Sequence, residues 1–259
     1  MTNLLNIRVW CALALGCVIA ASSAAAAEFD QTQALFDQVL KTYVKDARVD
    51  YVALKAHPQD LTRYLDQVAA VTKPEFKQWN EQQQIAFLLN AYNAYTLKLI
   101  IDHYPIASIK DIGHFWSGPW DQPIVHLFGE TTTLSTVENK MLRADYNEPR
   151  VHFAMVCASI GCPPLRSEAY VGSRLDDQLS DQARQFMANR TKNRVDVASH
   201  TIYLSPIFKW FAGDFEKKSG SVLAFLKPYW PDKERAELAN GDFAISYTDY
   251  DWSLNKQGK

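Results

Sequence analysis

From Asn80 to His103 the sequence NEQQQIAFLLNAYNAYTLKLIIDH has neither Gly nor Pro, is apolar almost all round in its middle, and stops before Pro105. Such a run predicts a helix buried on every face. Upstream, Leu35, Phe36, Val39, Leu40 and Tyr43 recur at spacings of three and four and predict a helix from Phe29 to Lys45, and a second is expected across Leu61 to Val71. Downstream, Pro119 to Gly129 reads as a loop with a short strand at Ile124 to Leu127. Ser135-Thr136-Val137-Glu138 reads as a capping box opening a short helix to about Leu142.

The apolar run Val151 to Val156, ending at Cys157, fits a buried strand. A helix from Leu175 to Asn189 and a hairpin across Val195 to Leu204 follow. Short helices at Pro206 to Asp214 and Ser221 to Leu226, then a closing strand at Phe243 to Tyr247, complete the pattern. The class is α+β: a single helix-rich domain whose central buried helix packs on a small, mostly antiparallel sheet. No Gly/Ser- or Pro-rich linker and no internal repeat divides residues 28–259, so one domain is expected.

The first 27 residues follow another pattern. Arg8 is their one charge, Val9 to Ala21 is apolar, and Ser22-Ser23 leads into alanines up to Ala27. This is the layout of a cleavable export signal, with cleavage expected before Glu28 and the mature chain in the periplasm or secreted. The apolar run is too short for a transmembrane helix, which needs about 20 residues. A lipid anchor at Cys17 is the alternative, although Ala14 and Leu15 fit its usual box poorly.

Removing the signal takes one of the 27 Lys and Arg and leaves 26 against 29 Asp and Glu. No basic block remains, so neither nucleic acid nor an anionic membrane surface is an expected partner. Of the four cysteines, Cys11 and Cys17 leave with the signal and only Cys157 and Cys162 stay. A close pair in an oxidising compartment is expected to bond.

The densest cluster of reactive side chains is VHFAMVCASIGCPPLR, Val151 to Arg166. Three readings of it stay open. The first is a structural Cys157–Cys162 disulfide. The second makes Cys157 or Cys162 a nucleophile with His152 or His126 as its base, since a thiolate needs a neighbour that lowers its pKa. On one strand, however, positions 152 and 157 point to opposite faces. The third is a metal site with His126, His152 and the cysteines, for which the spacing matches no compact zinc signature; no cofactor is implied.

Asn90 and Asn93 share a face of the apolar helix, next to Tyr92, and either pin a neighbouring backbone or line a pocket. Glu138 is a cap or a carboxylate that orients a histidine. Ser159 lies between the cysteines, and Arg166, beyond two prolines, can hold a carboxylate by its fork. The aromatics Trp120, Trp210-Phe211 and Tyr247 to Trp252 form a stacking groove or pack the core.

Five ordered segments carry a resemblance: AFLLNAYNAYT (Ala86–Thr96), STVENKMLR (Ser135–Arg143), RVHFAMVCASIGCPPLRSEAY (Arg150–Tyr170), IYLSPIFKWFAGDF (Ile202–Phe215) and YDWSLN (Tyr250–Asn255). Together they resemble the bacterial family called domain of unknown function 547, to which no reaction is assigned. The resemblance points to Asn90, Tyr92, Asn93, Glu138, His152, Cys157, Ser159, Cys162 and Arg166 as the residues to watch. Related sequences often carry a histidine after the glutamate, where this chain has Asn139. The layout is distantly reminiscent of papain-like and transglutaminase-like folds, by fold-level analogy.

Two functions follow as expectations. One is a disulfide-clasped envelope domain that binds a small molecule or a partner. The other is a cysteine-type acyl hydrolase or transferase.

Overall fold

The computed structural model describes residues 28–113, 116–239 and 241–258, so the expected export signal and the alternative anchor at Cys17 lie outside the described residues. The N-terminal periodicity forms α1 (Ala34–Tyr43), whose Phe36, Val39 and Leu40 are buried. A two-stranded hairpin, β1 (Val44–Lys45) with β2 (Arg48–Val49), leads into α2 (Tyr51–Ala56) and α3 (Gln59–Ala70). After the short α4 (Lys73–Phe76) comes α5 (Glu81–His103), the helix around which the domain is built.

The start of α5 is set by chemistry legible in NEQQ. The Asn80 side chain accepts from the Gln83 N–H, and the Gln83 side chain accepts in return from the Asn80 N–H. Of its 23 residues 16 are buried. A helix apolar on all sides has to be covered on all sides, and here other helices supply most of the cover. It packs against α2, α3, α6 (Leu134–Thr136), the π-helical turn Val137–Leu142 and α9 (Leu175–Ala188). The strands are grouped in three small sheets rather than one. They are β1–β2; β3 (Val125–Leu127) with β4 (Glu130–Thr132); and an antiparallel pair, β5 (Arg194–Asp196) and β6 (Thr201–Leu204), extended in parallel by β7 (Ala244–Tyr247). The domain is α+β, as expected.

Two expectations are corrected. Val151 to Val156 is not a strand: Val151–Ala154 is one helical turn, α8, closed by N–H groups of Val151, His152 and Phe153 donating to the carbonyls of Glu148, Pro149 and Arg150. Extended backbone begins only at Met155. In place of a neighbouring strand it has the Asn93 carboxamide, which donates to the Ala154 carbonyl at 3.0 Å and accepts from the Val156 N–H at 3.0 Å. Nor is Glu138 a cap residue. Thr133 caps α6, its hydroxyl accepting from the Thr136 N–H at 3.1 Å, and Glu138 falls in the π turn that follows. The π turn runs into α7 (Arg143–Asp145).

The apolar interior is in two clusters. The larger surrounds α5; the smaller gathers Phe153, Phe186, Phe208, Phe215 and Phe225 from α8, α9, α10 (Ile207–Trp210), α11 (Ala212–Ser219) and α12 (Val222–Leu226). The helix α13 (Asp232–Leu238) closes that side. Turn α8 belongs to both, since Val151 and Ala154 face the first cluster and Phe153 the second. The side chain between them, His152, is therefore held at the seam. Among the described residues no helix is long and apolar enough to cross a membrane.

Candidate functional site

A cavity of about 300 Å³ opens at this seam. Tyr92 of α5, Glu138 of the π turn, His152 of α8 and both cysteines line it, and Trp120, Trp210, Tyr250 and Trp252 form aromatic walls. Residues from six separate stretches of chain thus converge on one concave surface, with few polar groups among apolar ones, the usual make-up of a small-molecule site.

His152 is buried, its side chain 1% exposed. Its ring stacks on Phe211 at 4.1 Å between centroids, and its Nε2 lies 2.7 Å from Asp214 Oδ2. Burial pushes the imidazole pKa below its ordinary value, against the raising effect of Asp214, so the ring is neutral at pH 7 and Nε2–H donates to the carboxylate. That hydrogen bond, with the Arg143 guanidinium at 2.6 Å, holds the Asp214 carboxyl well below the usual carboxylate range. The carboxylate that orients the histidine is therefore Asp214. Glu138 plays no such part.

Glu138 makes a different contact. The Tyr92 hydroxyl donates to its Oε2 at 3.3 Å, and burial raises its pKa, partly offset by Arg143. A π turn inserts one residue into a helix and re-aims its side chains, and such turns recur at functional sites. Two carboxyl groups thus stand in contrasting environments near one cavity, Asp214 kept charged and Glu138 drawn toward the neutral acid.

The other wall is the loop from Cys157 to Cys162, closed by a disulfide between them. The bond was expected from their proximity and compartment, and it leaves neither sulfur free as a nucleophile in this state. The C-terminal segment runs antiparallel to the loop. Ile160 and Gly161 donate to the Ser253 and Asp251 carbonyls, Asn255 donates to that of Ala158, and Ser159 pairs with Leu254. A Cβ on Gly161 would come within 2.8 Å of the Tyr250 ring and 3.0 Å of the Asp251 carbonyl, so only glycine lets this segment lie against the loop. Tyr250 is thereby placed with its hydroxyl 3.1 Å from Cys157 Sγ, and the Ser159 hydroxyl is at the same distance.

The remaining expected residues lie elsewhere. Asn90 is fully buried and makes a paired bond to the Tyr170 backbone, donating at 2.7 Å and accepting at 3.0 Å. Like Asn93 it pins a neighbouring segment and does not face the cavity. Arg166 pairs with Glu168 and Asp181 in a structural ion network away from the site. His126 sits exposed on β3, bonded to Thr131, and among the described residues no group of three or more His, Cys, Asp or Glu is placed to hold a metal ion. Asn139 lines the cavity and accepts from the Arg143 guanidinium. Asp214 and Arg143 were not singled out from the sequence, although AGDF and KMLR contain them, and Tyr250 entered only as part of the aromatic run Tyr247 to Trp252.

No curated protein and no solved structure matches the chain. A family model matches residues 76–187, from the end of α4 into α9, and so takes in Tyr92, Glu138, His152 and the disulfide but stops short of Asp214 and Tyr250. Over that segment the chain matches the model of the family described as protein of unknown function, DUF547.

Proposed function

We propose that the chain is an exported protein of the cell envelope whose domain binds a small molecule in the cavity between Glu138 and the Cys157–Cys162 disulfide. The observation that carries this reading is the convergence of Tyr92, Glu138 and His152 with tryptophan walls around about 300 Å³ of space. That volume suits a compact ligand. Its flat or apolar face would lie on Trp210 and Trp252, while a hydroxyl or amide would meet Glu138. The export pattern of the first 27 residues supports the envelope assignment. It predicts a mature N-terminus at Glu28, readable by N-terminal sequencing of the exported protein.

The binding test uses tryptophan fluorescence of the mature protein titrated with a panel of monosaccharides and N-acyl amino acids. A saturable change that is weakened at least tenfold by both Trp252→Ala and Glu138→Gln supports the reading. A response equal in the wild type and both variants places binding outside this cavity.

One observation favours acyl transfer as a second reading: His152, fixed by Asp214 as a carboxylate fixes a catalytic imidazole, lines the same cavity as both cysteines. That chemistry requires a free thiol. If natively exported protein has one that reacts quickly with iodoacetamide at neutral pH, the acyl-transfer reading gains. If it has none, and Cys157→Ser lowers only stability, that reading fails.

A further inference from the structure

The environments of the two bonded sulfurs are unequal. Cys162 is buried at 4% exposure, and its Sγ receives the Cys157 backbone N–H at 2.9 Å. Cys157 is only partly buried, and both residues line the cavity. Two hydroxyls stand beside the pair and reach either sulfur. Tyr250 Oη is 3.3 Å from Cys162 Sγ and Ser159 Oγ is 3.4 Å from it, with both at 3.1 Å from Cys157 Sγ. None of these polar atoms is needed to build a structural clasp, which apolar packing would serve as well.

We propose that the Cys157–Cys162 disulfide is a thiol–disulfide exchange centre for small dithiols entering the cavity, with Cys157 the sulfur attacked and Cys162 the leaving thiolate. The incoming thiol loses its proton to solvent, and its thiolate attacks Cys157 Sγ. A new S–S bond forms there, the Sγ–Sγ bond breaks, and its electron pair stays on Cys162 Sγ. The second thiol of the dithiol, likewise deprotonated, attacks its own sulfur in the mixed disulfide. It leaves as a cyclic disulfide and releases the Cys157 thiolate. The protein gains two electrons and, once protonated, two thiols; the dithiol loses as many.

The order of attack follows from the surroundings. Exchange is faster when the departing thiolate is the more stable one. The fixed N–H of Cys157 points at Cys162 Sγ alone, and as charge develops there both hydroxyl protons can turn to it, giving three donors to one thiolate. Burial pushes the Tyr250 hydroxyl up to about 12, so it remains a donor throughout the neutral range. Cavity size and the aromatic walls restrict the partner to small molecules.

The experiment takes the natively oxidised, full mature protein, with 2-mercaptoethanol as trapping probe and dithiothreitol as reducing probe. Mixed disulfide captured early and quenched with iodoacetamide is mapped by mass spectrometry. The expected result is mercaptoethanol on Cys157 and carbamidomethyl on Cys162, formed while circular dichroism remains native. Reduction by dithiothreitol is expected to slow roughly fivefold or more in Tyr250→Phe and in Ser159→Ala, since each loses a hydrogen bond to a charged sulfur. In the reduced protein, thiolate absorbance is expected to titrate below the ordinary cysteine value of about 8.5, and to move up in both variants. Mercaptoethanol on Cys162, or on both sulfurs equally, overturns the proposal, as does reduction whose rate equals that of global unfolding. The mapping uses wild-type protein, so it decides the matter even if a variant fails to fold.

Discussion

His152 and Asp214 are 62 residues apart and meet with Nε2 2.7 Å from Oδ2. The contact ties α8, at the seam of the two apolar clusters, to α11, and Arg143 from α7 joins it on the carboxylate. Asp214→Ala leaves a buried imidazole N–H and a half-buried guanidinium without their partner. A hydrogen bond to a charged group contributes about 1.5–3 kcal/mol, and the 29% exposure of Asp214 places this one at the lower end. The expected loss is about 1.5 kcal/mol in urea unfolding at pH 7.

The same pair sets a pH dependence. Burial lowers the His152 pKa in the folded state, so the unfolded chain takes up this proton first as pH falls. Stability from this group is fully present above its ordinary value of about 6.5 and declines below it. Asp214, whose folded pKa is depressed, adds a second loss below the ordinary carboxylate value of 3.8. Wild-type protein is expected to be less stable at pH 5 than at pH 7, and His152→Gln to flatten that interval. Equal pH slopes in the two proteins would show that His152 is not the group responsible.

Asn93 supports the other end of α8. Asn93→Ala removes both bonds to the Ala154 carbonyl and the Val156 N–H and leaves two buried backbone groups unpaired. With each such group costing about 1–3 kcal/mol, a loss of about 3 kcal/mol is expected. Asn93→Asp is expected to lose a comparable amount, because its carboxylate has no donor for the Ala154 carbonyl. Equilibrium unfolding by circular dichroism measures both.

These two residues also mark how far the sequence could be read. Asn93 was legible because an amide in an all-apolar helix needs a partner, and a segment to be pinned was one of the two choices. The pinned segment was misread, since six apolar residues carry no periodicity that separates a strand from one helical turn. The deciding contact comes from α5, far away in sequence. Glu138 was misplaced for a similar reason: STVE satisfies the capping-box pattern, but Thr133 takes the cap two residues earlier and the π turn carries Glu138 inward. Asp214 was not singled out because an acid in the short helix that follows IFKW reads as solvated until His152 is brought against it. The disulfide needed only sequence proximity and the expectation of an oxidising compartment, and the capped start of α5 only local rules.

Glu138 is expected to trade stability for function. Its folded pKa is raised, so its contribution is favourable below its ordinary value of 4.5 and is lost as pH rises through the folded value. Glu138→Gln keeps the shape and an acceptor for the Tyr92 hydroxyl while removing the charge. The variant is expected to melt at or above wild type at pH 7, with the difference shrinking toward pH 4, while ligand binding in the cavity weakens. A clear loss of melting temperature at pH 7 alone would mean that the carboxylate is needed by the fold.

Removal of the disulfide separates clasp from site. Cys157 and Cys162 are five positions apart, and for so small a loop the chain-entropy model gives about 2 kcal/mol. The loop has other anchors: Ile160, Gly161 and the Ala158 carbonyl are bonded to the C-terminal segment, and Asn93 holds the backbone just before Cys157. Cys157→Ser/Cys162→Ser protein is therefore expected to fold, to unfold about 2 kcal/mol more easily in urea, and to keep the His152–Asp214 contact. Gly161→Ala leaves the sulfurs in place but drives a methyl group into the Tyr250 ring, displacing the segment that walls the cavity. It is expected to weaken ligand binding more than the double serine variant does. The reverse order would mean that the sulfurs, and not the apposed C-terminal segment, shape the cavity.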